Sequence, residues 1–314
     1  MSGLSRYGHG SVVALRGGLL GVEIGLPAPA GLIPLIPKYV MCERGLWLRG
    51  IIGFCRVISH YGPGGLEEAL NRAGLSLAYD GAYGASMPYA RGFDVIEYVS
   101  PRTALEMRVL SGRGELQHVL MRAVTALADK VGLLSLGLTG SYAMGIEREF
   151  SDVDLVVYGG DAAQVAYDLF TLAAVPVSCE TEFGGFKLEG WPCVPWRRGL
   201  LSDVPTPVSW VGVPPSLASH CKAFTERGPS PSRLAPFRGI LTVPGGQPEG
   251  LLYPPCVRSE EGYVIVSYEY NAGGPLYQGG VLEVTGLLAA TEDVIFLGSR
   301  ELPGSLRLLK PYRS

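Results

Sequence analysis

Lysine and asparagine are nearly missing from this chain: in 314 residues there are only Lys38, Lys130, Lys187, Lys222, Lys310, Asn71 and Asn271. The net charge of -3 does not suggest a protein that coats nucleic acid by bulk positive charge, although a local arginine patch is not excluded. The shortage of Asn and Gln fits a thermophile, or equally the codon usage of a GC-rich genome. No stretch supplies the roughly 20 uninterrupted apolar residues of a membrane helix. Met1-Ser2-Gly3-Leu4-Ser5-Arg6 runs into a Gly-rich, broken segment instead of an apolar core, which argues against a secretory leader and for a cytoplasmic protein. Cys42, Cys55, Cys179, Cys193, Cys221 and Cys256 include no Cys-x-x-Cys pair, so zinc is not expected. In that compartment mostly reduced thiols are expected, outside hyperthermophiles. His9, His60, His118 and His220 stand singly, a pattern of surface or core-edge residues more than of catalytic bases.

What is present is ample core material, 47% hydrophobic against 18% charged residues, enough for two or three domains. The most informative stretch is Gly140-Ser141-Tyr142-Ala143-Met144-Gly145-Ile146-Glu147-Arg148-Glu149-Phe150-Ser151-Asp152-Val153-Asp154-Leu155-Val156-Val157. The apolar run Leu134–Leu138 reads as a buried strand stopped by Gly140-Ser141. Gly140 permits close backbone approach to a charged group, and the amides of Ser141 and Tyr142 would open a short helix with free N–H groups suited to a phosphate oxygen. From Asp152 to Val157 the Val- and Leu-rich run predicts a second buried strand. Side chains alternate along a strand, so Asp152 and Asp154 point to one side. Two carboxylates that close repel unless a cation lies between them, and Mg²⁺ is commonly held by one or two carboxylates together with substrate phosphates. A phosphate cradle beside metal-binding carboxylates equips a site for phosphoryl or nucleotidyl transfer.

Gly-Ser, a glycine four residues after the serine, then Ser-Asp-x-Asp-Leu with an apolar tail resembles the nucleotidyltransferase superfamily that includes DNA polymerase beta, the CCA-adding enzymes and the minimal nucleotidyltransferases. The resemblance implies an α/β (α+β) fold with a mixed-sheet catalytic palm. In it Gly140 and Ser141 hold the triphosphate of a nucleoside triphosphate and Asp152 and Asp154 bind Mg²⁺ (or Mn²⁺). Tyr142, Gly145 and Ser151 belong to the same nucleotide-binding pattern. It also implies a third carboxylate on a later strand. The next strand candidate, Val175 to Phe183, carries Glu180 and Glu182, which share a face with Ser178 and are the candidates for that role. Glu189 and Asp203 are weaker ones, because Gly184-Gly185, Pro192 and Pro195 interrupt the path.

Residues 1–110 read as an N-terminal module of short strands (Ser11–Leu15, Leu19–Ile24, Lys38–Cys42, Leu46–Ile52), a helix at Leu66–Ala73 and another opened by Ser100-Pro101. Residues 111–200 read as the palm. Within it Gly114–Val131 is the clearest helix, with Leu116, Val119, Leu120, Val124, Leu127 and Val131 on one stripe, and a second helix spans Asp161–Phe170. Residues 201–250 are thick with Pro and Gly and read as connecting loops. Residues 251–314 return to strands, Tyr263–Tyr270, Val281–Leu288 and Val294–Leu297, as a small β-barrel or sandwich. Tyr263, Tyr268, Tyr270 and Tyr277 suit either stacking on single-stranded nucleic acid or cross-strand packing, and packing is the preferred reading. The Arg197-Arg198 pair reads as solvated surface.

The wider layout is similar to uncharacterised archaeal proteins listed as predicted nucleotidyltransferases. The expectation is therefore a metal-dependent nucleotidyltransferase that moves NMP from an NTP to a hydroxyl, with RNA as the first acceptor and a protein or small molecule next. The alternative is a catalytically inactive nucleotide- or RNA-binding protein on the same fold.

Overall fold

A computed structural model describes residues 8–26, 28–58, 63–80, 85–112, 114–177, 185–215, 221, 234–289 and 293–312. Among these residues the fold is mixed α/β and is built on three sheets.

The first sheet has eight strands, and strand Leu32–Met41 is its hub. Pro34 and Pro37 lie within it. Its beginning pairs with Ala85–Arg91 (Leu32↔Arg91) and its end with Ile52–Arg56 (Tyr39↔Arg56), so the sheet divides along this strand. Leu19–Glu23, Val12–Leu15 and Val95–Val99 continue it on one side. Helix Pro63–Ala73 extends three residues further toward the N-terminus than its apolar pattern indicates. Helix Pro101–Ser111 starts as read: Ser100 is its N-cap and accepts from the Thr103 amide at 3.2 Å.

The central sheet has five strands in the order Val175–Pro176, Arg198–Leu200, Val208–Val213, Val153–Tyr158, Leu136–Thr139. Val153–Tyr158 runs parallel to Val208–Val213 and antiparallel to Leu136–Thr139. Helices Glu115–Val131 and Gly160–Ala173 cover one face, where Leu120, Val124, Leu127 and Phe170 close a core over Val153, Leu155, Val157 and Trp210. The odd-numbered residues of the Asp-bearing strand are consumed by this core. Its even-numbered neighbours, Asp152 and Asp154, therefore look out from the opposite face.

The C-terminal strands form one seven-stranded mixed sheet with Gly280–Ala289 as its spine, bonded to Ser305–Pro311, Val294–Leu297 and Leu234–Val243. Strand Val264–Ser267 stops short of the expected Tyr270 because Tyr270–Ala272 turns into a 3₁₀ helix capped by the Glu269 side chain. Ile24, Leu26, Ala85 and Met87 of the first sheet share a buried cluster with Cys256, Val264, Leu287 and Phe296 of this one. The two flanking sheets are thereby packed directly on each other.

Two readings need correction, and a third lies mostly outside the described residues. The Pro/Gly-rich stretch 201–250 contains two strands: Val208–Val213 is almost wholly buried in the central sheet, and Leu234–Val243 pairs along ten residues with the spine. Proline and glycine punctuate the ends of these strands, not their interiors, apart from Gly212, Pro236 and Gly239. The strand expected from Val175 to Phe183 is described only at Val175–Pro176, and Glu180 and Glu182 lie outside the described residues. Finally, the thiols are not reduced. Cys42 is bonded to Cys55 and Cys221 to Cys256, Cys193 is also in a disulfide, and no described cysteine is free. Among the described residues no helix is long and apolar enough to cross a membrane.

Candidate active site

Strand Leu136–Thr139 ends at Gly140, which takes a positive φ of 67° and opens the short helix Gly140–Met144. A Cβ at Gly140 would overlap Oδ2 of Asp154, so glycine is required for this close approach as well as for the dihedral. Gly145, at φ 72°, ends the helix: its amide bonds to the Tyr142 carbonyl at 3.2 Å, and that of Ile146 to Ser141 at 3.1 Å. Its part is to stop the turn. The Tyr142 side chain is buried in the helix-covered core, so only its backbone faces the turn, and burial pushes its phenol above the usual range. Ser151 holds the next loop. Its Oγ accepts from the Arg148 amide at 2.9 Å, and its carbonyl accepts from Thr206 Oγ1 at 2.9 Å.

One row of side chains crosses four strands of the central sheet: Thr139, Asp154, Ser209 and Arg198 are successive register partners. Ser209 Oγ donates to Asp154 Oδ1 at 2.5 Å. Arg198 Nη2 donates to Asp152 Oδ2 at 2.5 Å, forming a partly exposed ion pair. Arg197 is buried; its Nε donates to the Trp210 carbonyl at 3.4 Å and its guanidinium lies 4.9 Å from the Tyr270 ring. The Arg197-Arg198 pair is thus part of the site, in place of the solvated surface expected.

Burial raises the Asp154 carboxyl above the usual range, the Ser209 hydrogen bond opposes this, the charge of Asp152 adds to it, and Lys38 and Arg197 act against it. His9, from the loop before the first sheet, is also present: Nδ1 bonds to the Ile24 carbonyl at 2.7 Å, Nε2 lies 3.2 Å from Tyr270 Oη, and burial lowers it to about 4. It is a neutral packing group. His118 is exposed on its helix, and His60 and His220 are outside the described residues.

These groups line a single cavity of about 500 Å³ at the junction of the three sheets, which includes Gly140, Ser141, Ser151, Asp152, Asp154, Lys38, Arg197, Arg198 and Ser209. Tyr142 and Gly145 do not line it. Glu189 pairs with Arg307 and Asp203 is exposed, both away from the cavity. Among the described residues no third His, Cys, Asp or Glu joins the aspartate pair. Two hard oxygen donors with a desolvated charge to relieve nevertheless fit Mg²⁺ or Mn²⁺, provided a substrate's phosphates complete the shell.

Residues 120–181 match the family model described as nucleotidyltransferase domain. The chain carries a nucleotidyltransferase domain. No curated protein and no solved structure matches the chain. Nucleotidyltransferase domains in general use a nucleoside triphosphate and a divalent metal to transfer NMP. The matched segment begins in helix Glu115–Val131 and contains the whole Gly140-to-Tyr158 unit. Lys38, Arg197 and Arg198, which complete the charge pattern, fall outside it.

Proposed function

We propose that the protein transfers NMP from an NTP to a hydroxyl acceptor, with the five-stranded central sheet as the catalytic palm and the two outer sheets as flanking modules. The observation that carries this is the convergence of Asp152 and Asp154 on one strand face, against the Gly140–Ser141 turn, in a cavity large enough for a ligand. The backbone amides at the turn and the Ser141 hydroxyl hold phosphate oxygens. Arg197, Arg198 and Lys38 neutralise the triphosphate and favour loss of pyrophosphate. Asp152 and Asp154 would hold Mg²⁺ or Mn²⁺, which when bound polarises the α-phosphate and acidifies the acceptor hydroxyl. The acceptor oxygen bonds to the α-phosphorus, the bond to pyrophosphate breaks in line, and the hydroxyl proton passes to solvent. Catalysis rests on positioning and charge.

A second reading, nucleotide binding without turnover, is favoured by Asp152 already being paired with Arg198. The test is incubation with each α-³²P-labelled NTP, Mg²⁺ or Mn²⁺ and cell extract, beside the Asp152→Asn/Asp154→Asn variant. Label transferred only by the parent protein supports the enzyme. Nucleotide binding without label transfer supports the second reading.

A further inference from the structure

Phe150 lines the cavity yet is 66% exposed, and it stands two residues before Asp152 in the loop between helix Gly140–Met144 and strand Val153–Tyr158. A large aromatic side chain left in water on a motif loop contributes little to a core. Its ring meets that of Trp47 at 6.2 Å and 84°, an edge-to-face contact. Trp47 comes from the first sheet, is half-buried, lies 5.3 Å from the Tyr39 ring and also lines the cavity. Edge-to-face packing occupies the face of one ring and only the edge of the other, so the pair keeps ring face for a third aromatic group.

The fold holds this pair in place. Strand Trp47–Arg49 pairs with Ile52–Arg56 (Trp47↔Phe54), and the Cys42–Cys55 disulfide closes the chain around it. Arg49 ties the same strand to Glu97 through two hydrogen bonds, at 2.7 and 2.8 Å. Met144 and Ile146, on either side of Gly145, are buried with Tyr39 and Phe54, and Trp47 packs on that cluster. The first sheet thereby carries Trp47 to a set place beside the Gly140–Ser141 turn. Other described rings of the cavity are committed to packing: Tyr253 stacks on Tyr270 at 4.4 Å, the Arg197 guanidinium lies 4.9 Å from the Tyr270 ring, Tyr268 runs parallel to Phe296 at 6.2 Å, and Trp210 is 1% exposed.

We infer that Trp47 and Phe150 form the platform on which the nucleobase of the NTP stacks, and that they are positioning residues for its α-phosphate. This rests on the nucleotidyltransferase reading and adds to it which wall of the cavity takes the base. Two residues of chain span at most about 7 Å, so the Phe150 backbone lies within that distance of Asp152. A base is joined to its α-phosphate through a single sugar, so a nucleotide with its phosphates on the Gly140–Ser141 turn and its α-phosphorus at the aspartates has its base within reach of Phe150. Stacking uses the face of the base and is indifferent to its hydrogen-bonding edge, so the signature of the platform is a gap in affinity between nucleotide and bare polyphosphate. The family model's residues 120–181 include Phe150 and not Trp47, so half of the platform is supplied by the flanking sheet.

The test is calorimetric titration of the full chain, with Mg²⁺, by each of the four NTPs and by inorganic tripolyphosphate. The parent is expected to bind the best NTP more tightly than tripolyphosphate. Phe150→Ala, at an exposed position, is expected to weaken that NTP about tenfold and leave tripolyphosphate unmoved, and Phe150→Tyr to restore it. Trp47→Phe keeps a stacking ring, so NTP affinity should stay near the parent's while most of the drop in tryptophan emission on NTP addition is lost. Circular dichroism of each variant reports its folding. Equal weakening of NTP and tripolyphosphate by Phe150→Ala, or NTP affinity unmoved by it, overturns the platform. A parent that binds tripolyphosphate as tightly as any NTP overturns the platform alone and leaves the phosphate site standing. Binding of neither overturns the nucleotidyltransferase reading, and the platform with it.

Discussion

Ser209 Oγ lies 2.5 Å from Asp154 Oδ1, on adjacent parallel strands in register, and its hydrogen bond is the largest of the restraints on the upward pull of burial on that carboxyl. Ser209→Ala is expected to raise the Asp154 pKa further, so the acid limb of the pH–rate profile moves to higher pH. An unmoved limb would show that Asp154 does not titrate in the rate-limiting step.

Asp154→Asn is expected to lower transfer by about 10²–10³-fold or more while leaving the fold intact. Because the folded-state pKa lies above the unfolded one, the unfolded chain gives up this proton first, and stability falls as pH rises through that window. The variant should therefore be more stable than the parent at neutral pH and lose that advantage in acid. Paired denaturant titrations at pH 7.5 and about pH 3.5, below the ordinary Asp value, check the sign.

Arg198 is partly exposed, so its ion pair with Asp152 contributes little to stability, on the order of 0–1 kcal/mol. Arg198→Met is expected to leave the melting temperature nearly unchanged but to raise the KM for NTP about tenfold. A change in melting temperature with normal KM would make Arg198 purely structural.

Gly140→Ala imposes a Cβ on a left-handed residue beside Asp154 Oδ2. The dihedral alone costs roughly 1–2 kcal/mol, and the overlap displaces Asp154. Loss of transfer larger than the loss of stability is the expected outcome, measured as kcat/KM against the denaturation midpoint.

Glu23 and His9 are buried with opposite effects on acid stability. Burial raises Glu23 from 4.5 to about 6, against the hydrogen bond donated by Tyr98 Oη at 2.7 Å, so its contribution is full below pH 4.5 and lost as pH rises through 6. His9 is lowered from 6.5 to about 4, so its contribution is full above 6.5 and lost as pH falls toward 4. Glu23→Gln should gain about 2 kcal/mol at pH 7.5 and nothing at pH 4, by the free energy of the pKa difference. Chemical denaturation at the two pH values measures it.

Much of the central unit was legible because its signals are local. The stripe from Leu116 to Val131, the glycine stop after Leu138 and the alternation of Asp152, Val153 and Asp154 each lie within a few residues, and each corresponds to an observed element or face. Ser100 as a cap is of the same kind. The disulfides and the 201–250 strands were not. Cys42 meets Cys55 because a hairpin folds back, and Cys221 meets Cys256 across chain that local pattern does not connect. Val208–Val213 was masked by flanking prolines, although VSWVGV is itself a short apolar run.

By itself, then, the sequence determined that two carboxylates would share a strand face beside a glycine turn, since alternation and backbone freedom are properties of neighbouring residues. Only the tertiary structure decided what faces them. Arg198 stands beside Ser209 and Ser209 beside Asp154 because three strands distant in sequence align in register, Lys38 arrives from another sheet, and the cavity is lined by residues of all three sheets and their loops. Register and inter-sheet packing are set by the summed burial of many residues, a long-range quantity that no short window of sequence contains.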